Sequence, residues 1–148
     1  MAALAGLVAG ALDILYAICV WSLKGITAQQ VLQAVASGVL GKASFSGGRG
    51  TATLGLGLHM LIALAMAAGY FMAARKWPIL VRRPWAGGLV YGLLLYAAMN
   101  FAVVPLSAAE VASPGDMTSF FLALLPHIAV VGWPIAWLAR YALGVRRK

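Results

Sequence analysis

Charged residues are scarce in this chain, and acidic residues are the scarcest of all. Asp and Glu occur 3 times in 148 residues and Lys and Arg 11 times, so charged residues make up 9% of the sequence. A soluble domain carries nearer a quarter of its residues as charges. With 64% hydrophobic residues and a mean hydropathy of +0.94, the chain lacks the polar residues to cover a core in water. The composition therefore predicts an integral membrane protein.

Cysteine is nearly absent too, and the single Cys19 excludes a disulfide within the chain. The net charge of +8 would indicate a nucleic-acid partner in a soluble protein. Here the basic residues cluster at the ends of apolar segments, as topology signals and headgroup anchors do. We therefore expect the lipid bilayer as a partner and no nucleic acid. The clustered residues are Arg75, Lys76, Arg82, Arg83, Arg140, Arg146, Arg147 and Lys148.

Four apolar segments are long enough to cross the hydrocarbon core of a bilayer, which takes about 20 residues of helix. They cover about residues 4–23, 54–74, 85–106 and 118–139. The first segment contains Asp13 and has no basic stretch before it, so we expect a retained span rather than a signal peptide. The sequence thus predicts a single all-α membrane domain, a bundle of four transmembrane helices.

Loop charges predict the orientation of this bundle. The eight clustered basic residues lie in the loop between the second and third segments and in the C-terminal tail. The opposite side has three basic residues and two acidic ones. Because cytoplasmic loops carry the excess of Lys and Arg, both termini are expected in the cytoplasm. The residues of the opposite side are Lys24, Lys42, Arg49, Glu110 and Asp116.

A fifth, amphipathic helix is predicted between the first and second segments, over about residues 28–40. Thr27 and Gln30 have the spacing of a capping box at its start, and Gly41 suits its end. Its apolar residues recur on one face, and Gln33 and Ser37 fall largely on the other. The polar face lacks the Lys and Arg of a helix that binds anionic lipids. A lid over the mouth of the bundle and a helix lying on the outer leaflet both remain open.

Two other connections have local signals. The glycine-rich stretch 46–51 has neither the phosphate-loop motif nor a preceding strand. We therefore expect a flexible connector that ends with Thr51 as a helix cap. Ser113 and Asp116 have the spacing of a second capping box, ahead of the fourth segment.

Small residues one turn apart predict close packing between helices, because they let two backbones approach within the bilayer. Asp13 and Asn100 each follow such a pair on about the same face of the helix, so both are expected to face the interior of the bundle. The two motifs are Gly6-x-x-x-Gly10 and Gly88-x-x-x-Gly92.

Each of the four segments carries one residue that hydrocarbon should reject, namely Asp13, His59, Asn100 and His127. Counted inward from the predicted helix ends, the four lie at similar depth, about 8–15 Å. Ionisable residues within spans usually face a bundle interior, find a partner and mark a site. The sequence therefore predicts one polar cluster inside the bundle.

Two prolines add acceptors near this cluster. Pro126 and Pro134 each free a carbonyl one turn earlier in the helix. The carbonyls concerned are those of Leu122 and Val130.

Three functions fit such a cluster. It could be a structural hydrogen-bond network between helices. Asp13 beside a histidine could exchange protons near neutral pH, which suits proton-coupled transport of a small solute. His59 and His127 could instead be axial ligands of a b-type haem, or bind a transition metal together with Asp13.

Proton-handling transport is the preferred hypothesis, with no cofactor favoured. Four helices are few for a complete transport pathway, so a homodimer or a larger membrane assembly is expected. The serines have no neighbouring base in the sequence and both histidines lie within spans, so an enzyme is not expected.

Five stretches of the chain are loosely similar to small bacterial inner-membrane proteins of the YagU type. The likeness runs over most of the sequence. It implies a helical bundle in the bacterial cytoplasmic membrane and assigns no activity or functional residue. The stretches are 6–13, 31–41, 54–59, 99–107 and 126–134.

Overall fold

The computed structural model describes residues 1–110 and 117–144, and these ranges contain helices and no strand. Four of the helices are long and apolar enough to cross a membrane. This confirms the prediction of an all-α bundle with four spans. Numbered in chain order, the four are α1 (Ala2–Ser22), α3 (Gly48–Lys76), α5 (Pro84–Leu106) and α6 (Met117–Gly144).

Shorter helices occupy two of the connections. α2 (Ala28–Leu40) is followed by a 3-10 helix (Gly41–Ser46), and α4 (Ile79–Arg82) joins α3 to α5. We call the two ends of the bundle the α2 end and the α4 end. The basic tail (146–148) and the predicted capping box at 113–116 lie outside the described residues.

The predicted α2 helix is confirmed, together with its start and its end. The Thr27 hydroxyl accepts a hydrogen bond from the Gln30 amide at 3.2 Å, and the Gln30 side chain accepts one from the Thr27 amide at 2.8 Å. This reciprocal pair satisfies two amides that a helix start leaves free. Gly41 ends the helix with φ +57°, a conformation that favours glycine.

The prediction that Thr51 caps the second span is wrong. α3 begins at Gly48, so Thr51 lies in its first turn, where its hydroxyl donates to the Ser44 carbonyl at 2.6 Å. The stretch 46–51 is also not a separate connector, because Ser46 ends the 3-10 helix and the residues from Gly48 onward belong to α3. The hydropathy of the span could not predict the hydrogen bond of Thr51, because its acceptor lies in the 3-10 helix.

Alanine and glycine let α1, α3 and α6 approach closely at the core. Gly6 and Gly10 face α3, where a Cβ on Gly6 would lie 2.8 Å from the Leu64 Cα and one on Gly10 2.8 Å from the Ala63 Cβ. The predicted contact of the first glycine motif is therefore confirmed. The fully buried alanines of this core are Ala5, Ala9, Ala67, Ala136 and Ala139.

The second glycine motif also lies at a close helix contact, as predicted, and the structure shows that it packs α5 against α6. A Cβ on Gly92 would lie 2.6 Å from the Ile128 Cα, and a Cβ on Gly88 would lie 2.9 Å from the Gly132 carbonyl oxygen. Only a residue without a side chain leaves room for these backbone contacts.

Both α5 and α6 contain a wider, π-type segment. These segments are Met99–Val103 and His127–Gly132, and each is followed two residues later by a proline, Pro105 or Pro134. Proline has no amide hydrogen and its ring crowds the carbonyl four residues earlier, which disturbs the regular helical bonding. Such widened turns are frequent at functional sites.

α2 bridges α3 and the end of α5. The Leu32 carbonyl sits where a Cβ of Gly55 would lie, so α2 touches the backbone of α3. At the other side the Ala108 amide donates to the Gly38 carbonyl at 2.9 Å. Lys42 Nζ lies 2.8 Å from a Glu110 carboxylate oxygen in an exposed ion pair.

The predicted rotation of α2 is wrong for two of its polar residues. Gln33 and Ser37 are buried, with 2% and 7% exposure, whereas Val39 is 61% exposed. The Gln33 amide nitrogen donates to the Gly48 carbonyl at 3.1 Å and contacts the Thr51 hydroxyl at 3.2 Å. These polar partners at the start of α3 allow a glutamine to be buried.

Candidate functional site

A cavity of about 700 Å³ lies under α2, between α1, α3, α5 and α6. Its volume is within the range of small-molecule sites, which are mostly apolar with a few placed polar groups. Asp13, His59 and His127 all line it. Three of the four predicted site residues therefore share one cavity. Its apolar walls include Ile14, Val35, Ile62, Met66, Val104 and Val131.

The closest polar contact in the cavity joins α1 to α3. The Nε2 atom of His59 lies 3.8 Å from an Asp13 carboxylate oxygen and 2.9 Å from the Gly10 carbonyl oxygen. A carbonyl only accepts, so Nε2 carries a hydrogen and donates it to Gly10. The side chains of His59 and Asp13 are 15% and 24% exposed. The pair is thus half-buried, with the histidine bonded to a backbone carbonyl next to the carboxylate.

Gly10 explains why these two side chains meet. It lies three residues before Asp13, about one helical turn away, and its lack of a side chain lets Ala63 of α3 pack against α1. His59 lies one turn before Ala63 on the same face of α3. The close approach therefore brings the imidazole to the Gly10 carbonyl and beside the carboxylate.

His127 reaches the cavity from the widened turn of α6. Its Nδ1 lies 2.8 Å from the Ala123 carbonyl oxygen, so this nitrogen carries a hydrogen. The Tyr96 ring meets the imidazole edge-on, with centroids 5.6 Å apart. These two contacts fix the ring and leave Nε2 for other partners.

The carbonyl predicted to be freed by Pro126 has a partner in the structure. The Tyr16 hydroxyl of α1 donates to the Leu122 carbonyl at 3.0 Å. This bond ties α1 to α6 just before His127. A proline in the fourth span thus adds an interhelical hydrogen bond beside the cavity.

Asn100 does not join the site, and the prediction that it faces the interior is wrong. It is exposed and its side-chain amide donates to the Tyr96 carbonyl of its own helix at 2.9 Å. It follows Gly92 by eight residues, which is about 80° away around a regular helix. The bond to its own backbone satisfies the amide without a partner on another helix.

Sequence reasoning missed the residues that close the cavity at the α2 end. Gln30, Trp21, Phe45 and Ser107 line it there. The amphipathic pattern of α2 is compatible with a lid, but the Thr27–Gln30 spacing indicates only a helix cap, and no signal in the sequence places Ser107 at the cavity. In the structure α2 lines the cavity and contacts the backbone of α3.

The histidines are arranged for hydrogen bonding more than for metal ligation. Over residues 1–110 and 117–144, no three His, Cys, Asp or Glu side chains are grouped to hold a metal ion. His59 already uses Nε2 on the Gly10 carbonyl, so only Nδ1 is free to ligate a haem iron. The geometry therefore gives no support to a metal site built from Asp13, His59 and His127.

Searches for a matching family model, a matching curated protein or a matching solved structure find none. The resemblance to YagU-type proteins stays a prediction from the sequence.

Proposed function

We propose that this protein is a membrane carrier that couples the movement of a small solute to protons. Asp13 and His59 are the proton site, and the cavity under α2 is the solute site. The observation that carries the proposal is the carboxylate–imidazole pair, with 3.8 Å between Oδ2 and Nε2, on the wall of a cavity of about 700 Å³.

The pair suits proton exchange. An unperturbed histidine titrates near neutral pH, and ionisable groups within spans commonly serve as proton relays. His59 now donates to Gly10, and a movement of about 1 Å would bring Nε2 within hydrogen-bond distance of Asp13. The imidazole can thus alternate between the carbonyl and the carboxylate. In the second position Nε2 gives its hydrogen to Asp13 while Nδ1 takes up another proton, so the ring stays neutral.

α2 supplies a gate for the solute. It contributes Gln30, Val31, Ala34 and Val35 to the cavity, and the exposed Lys42–Glu110 pair joins the 3-10 helix after it to the segment that follows α5. The hydrogen bond from Lys42 to the Glu110 carboxylate raises the pKa of the lysine. Exposed ion pairs are weak and screened by salt, so this pair contributes little to the position of α2 and its loss should not alter the gate.

The proposal includes an orientation and an assembly. We place the protein in the bacterial cytoplasmic membrane with the α4 end inside, because basic residues concentrate there and cytoplasmic loops carry such an excess. The cavity then opens toward the outer leaflet. A homodimer would supply the second half of the transport path. The basic residues of the described α4 end are Arg75, Lys76, Arg82, Arg83 and Arg140.

Proton movement in liposomes tests the proposal. Purified protein is reconstituted with a pH dye inside, and a cation (tetraphenylphosphonium), a neutral solute (thymidine) and an anion (benzenesulfonate) are added in turn. We expect at least one solute to move protons above the rate of protein-free liposomes. Asp13→Asn should lower that rate about 100-fold, in the range typical for loss of a proton-transferring group.

Glu110→Gln is the matched control, since it neutralises another carboxylate outside the cavity and should leave the rate unchanged. Equal proton movement by the wild type and Asp13→Asn would contradict the proposal. So would a wild type that moves no protons with any of the three solutes.

A further inference from the structure

The fixed charge on the wall of the cavity is negative. Among the described residues that line it, Asp13 is the one carboxylate, and neither Lys nor Arg is present. The two histidines are the remaining ionisable groups there. An anion entering the cavity would meet the carboxylate without a fixed cation to balance it.

The Asp13 carboxylate is also open to a new partner. His59 donates its Nε2 hydrogen to the Gly10 carbonyl oxygen at 2.9 Å, and the same nitrogen lies 3.8 Å from the carboxylate oxygen of Asp13. Within residues 1–110 and 117–144, no side chain or amide is close enough to donate a hydrogen bond to it. A half-buried carboxylate in apolar surroundings is stabilised by any cation that reaches it.

The rest of the wall fits an apolar body around such a charge. Ile62 and Val131 are aliphatic, Met66 has a polarisable thioether, and Phe45 is aromatic. The Trp21 ring also lines the cavity and already has the Lys24 Nζ atom 4.9 Å from its centroid. Thioethers adapt to irregular shapes, and aromatic faces attract cations. The volume accommodates a molecule of drug-like size.

We infer that the solute is an amphiphilic organic cation that competes with a proton for Asp13. This inference rests on the proposed function and names its substrate class. When the cation binds, the protonated carboxyl gives its proton to the bare Nε2 of His59 while Nδ1 releases one to solvent, and the carboxylate pairs with the cation. When the cation leaves, a proton returns. Because Asp13 holds either the cation or a proton, the cation and the proton cross the membrane in opposite directions.

Two ions of nearly the same shape and opposite charge test the inference. Binding of tetraphenylphosphonium and tetraphenylborate to the detergent-purified protein is measured by equilibrium dialysis. We expect the cation to bind at least about 10-fold more tightly than the anion, the size of effect that one unpaired charge produces. In weakly buffered solution, cation binding should release protons, because the cation displaces the Asp13 proton.

Variants locate the effect at one carboxylate. Asp13→Asn should weaken cation binding about 10-fold or more and remove most of the preference over the anion, whereas Glu110→Gln should change neither. Asp13→Glu, which keeps the charge, should keep the preference. If Asp13→Asn does not yield a folded protein, the cation-to-anion ratio of the wild type and of Asp13→Glu decides.

The outcomes separate this inference from the proposed function. Equal affinity for the two ions, or cation binding unaffected by Asp13→Asn, would overturn the organic-cation assignment. Proton movement coupled to thymidine or benzenesulfonate would then still support a carrier. Conversely, cation binding at Asp13 without any proton movement would overturn proton coupling and leave the cation site.

Discussion

Gly55→Ala is expected to push α2 away from α3 and open the cavity at the α2 end. The added Cβ would overlap the Leu32 carbonyl, and it would also lie 3.2 Å from the Ala36 amide nitrogen. Both neighbours are backbone, so the clash is relieved only by moving the whole helix. Overpacking of this kind costs about 1–3 kcal/mol. We expect faster hydrogen exchange across α2 and a lower free energy of unfolding.

Gly57→Ala is the matched control, two residues along the same helix. A Cβ there meets no neighbouring atom within 4 Å, and alanine has a helix propensity up to about 1 kcal/mol better than glycine. This variant should be as stable as the wild type or slightly more so, with unchanged exchange in α2. Similar behaviour of the two variants would contradict the direct contact between α2 and the backbone of α3.

Gly92→Ala is expected to separate α5 from α6 and displace His127 from the cavity. The new Cβ would lie 2.6 Å from both the Ile128 Cα and the His127 carbonyl oxygen. Neither atom belongs to a flexible side chain, so the widened turn of α6 must shift. A loss of about 1–3 kcal/mol in unfolding free energy follows, measured by detergent-induced unfolding.

His127 supplies a second readout for this variant. Its contact with Tyr96 depends on the distance between α5 and α6, so the ring resonances of His127 should change while those of His59 stay close to the wild type. Val90→Ala alters a 54% exposed side chain of the same helix and should change neither stability nor resonances appreciably. A stable Gly92→Ala with an unmoved His127 would refute the packing described for α5 and α6.

Much of the fold follows from local patterns in the sequence. Hydropathy predicts the four spans, the Thr27–Gln30 spacing predicts the start of α2, and the glycine motifs predict which faces approach. Each pattern reflects either an interaction within one helix or the requirement for small side chains on a helix face that packs closely. Which face of a helix is buried, in contrast, depends on residues that are far away in the sequence. Gln33 is buried because the start of α3 offers it acceptors, which no property of α2 reveals.

Three of the four residues predicted for the site line one cavity, but the sequence could not predict their geometry. Depth along a span can be counted from its ends, so Asp13, His59 and His127 could be placed in one layer. Which helices are neighbours is set by packing at Gly10 and Gly92. The face of a helix on which Asn100 lies could not be predicted from its spacing to the glycine motif. Eight residues after Gly92 the helix has already turned by about 80°, and the Asn100 amide bonds to the backbone of its own helix.

Asp13, His59 and His127 face one cavity, where we expect the carboxylate to interact with both imidazole rings. The chain has two histidines, so a protein labelled with ¹⁵N at histidine gives two sets of ring signals, assigned by His59→Gln and His127→Gln. We predict that Asp13→Asn shifts both sets and that Glu110→Gln shifts neither. Ring signals of His59 and His127 that are the same in the wild type and in Asp13→Asn would contradict a shared site.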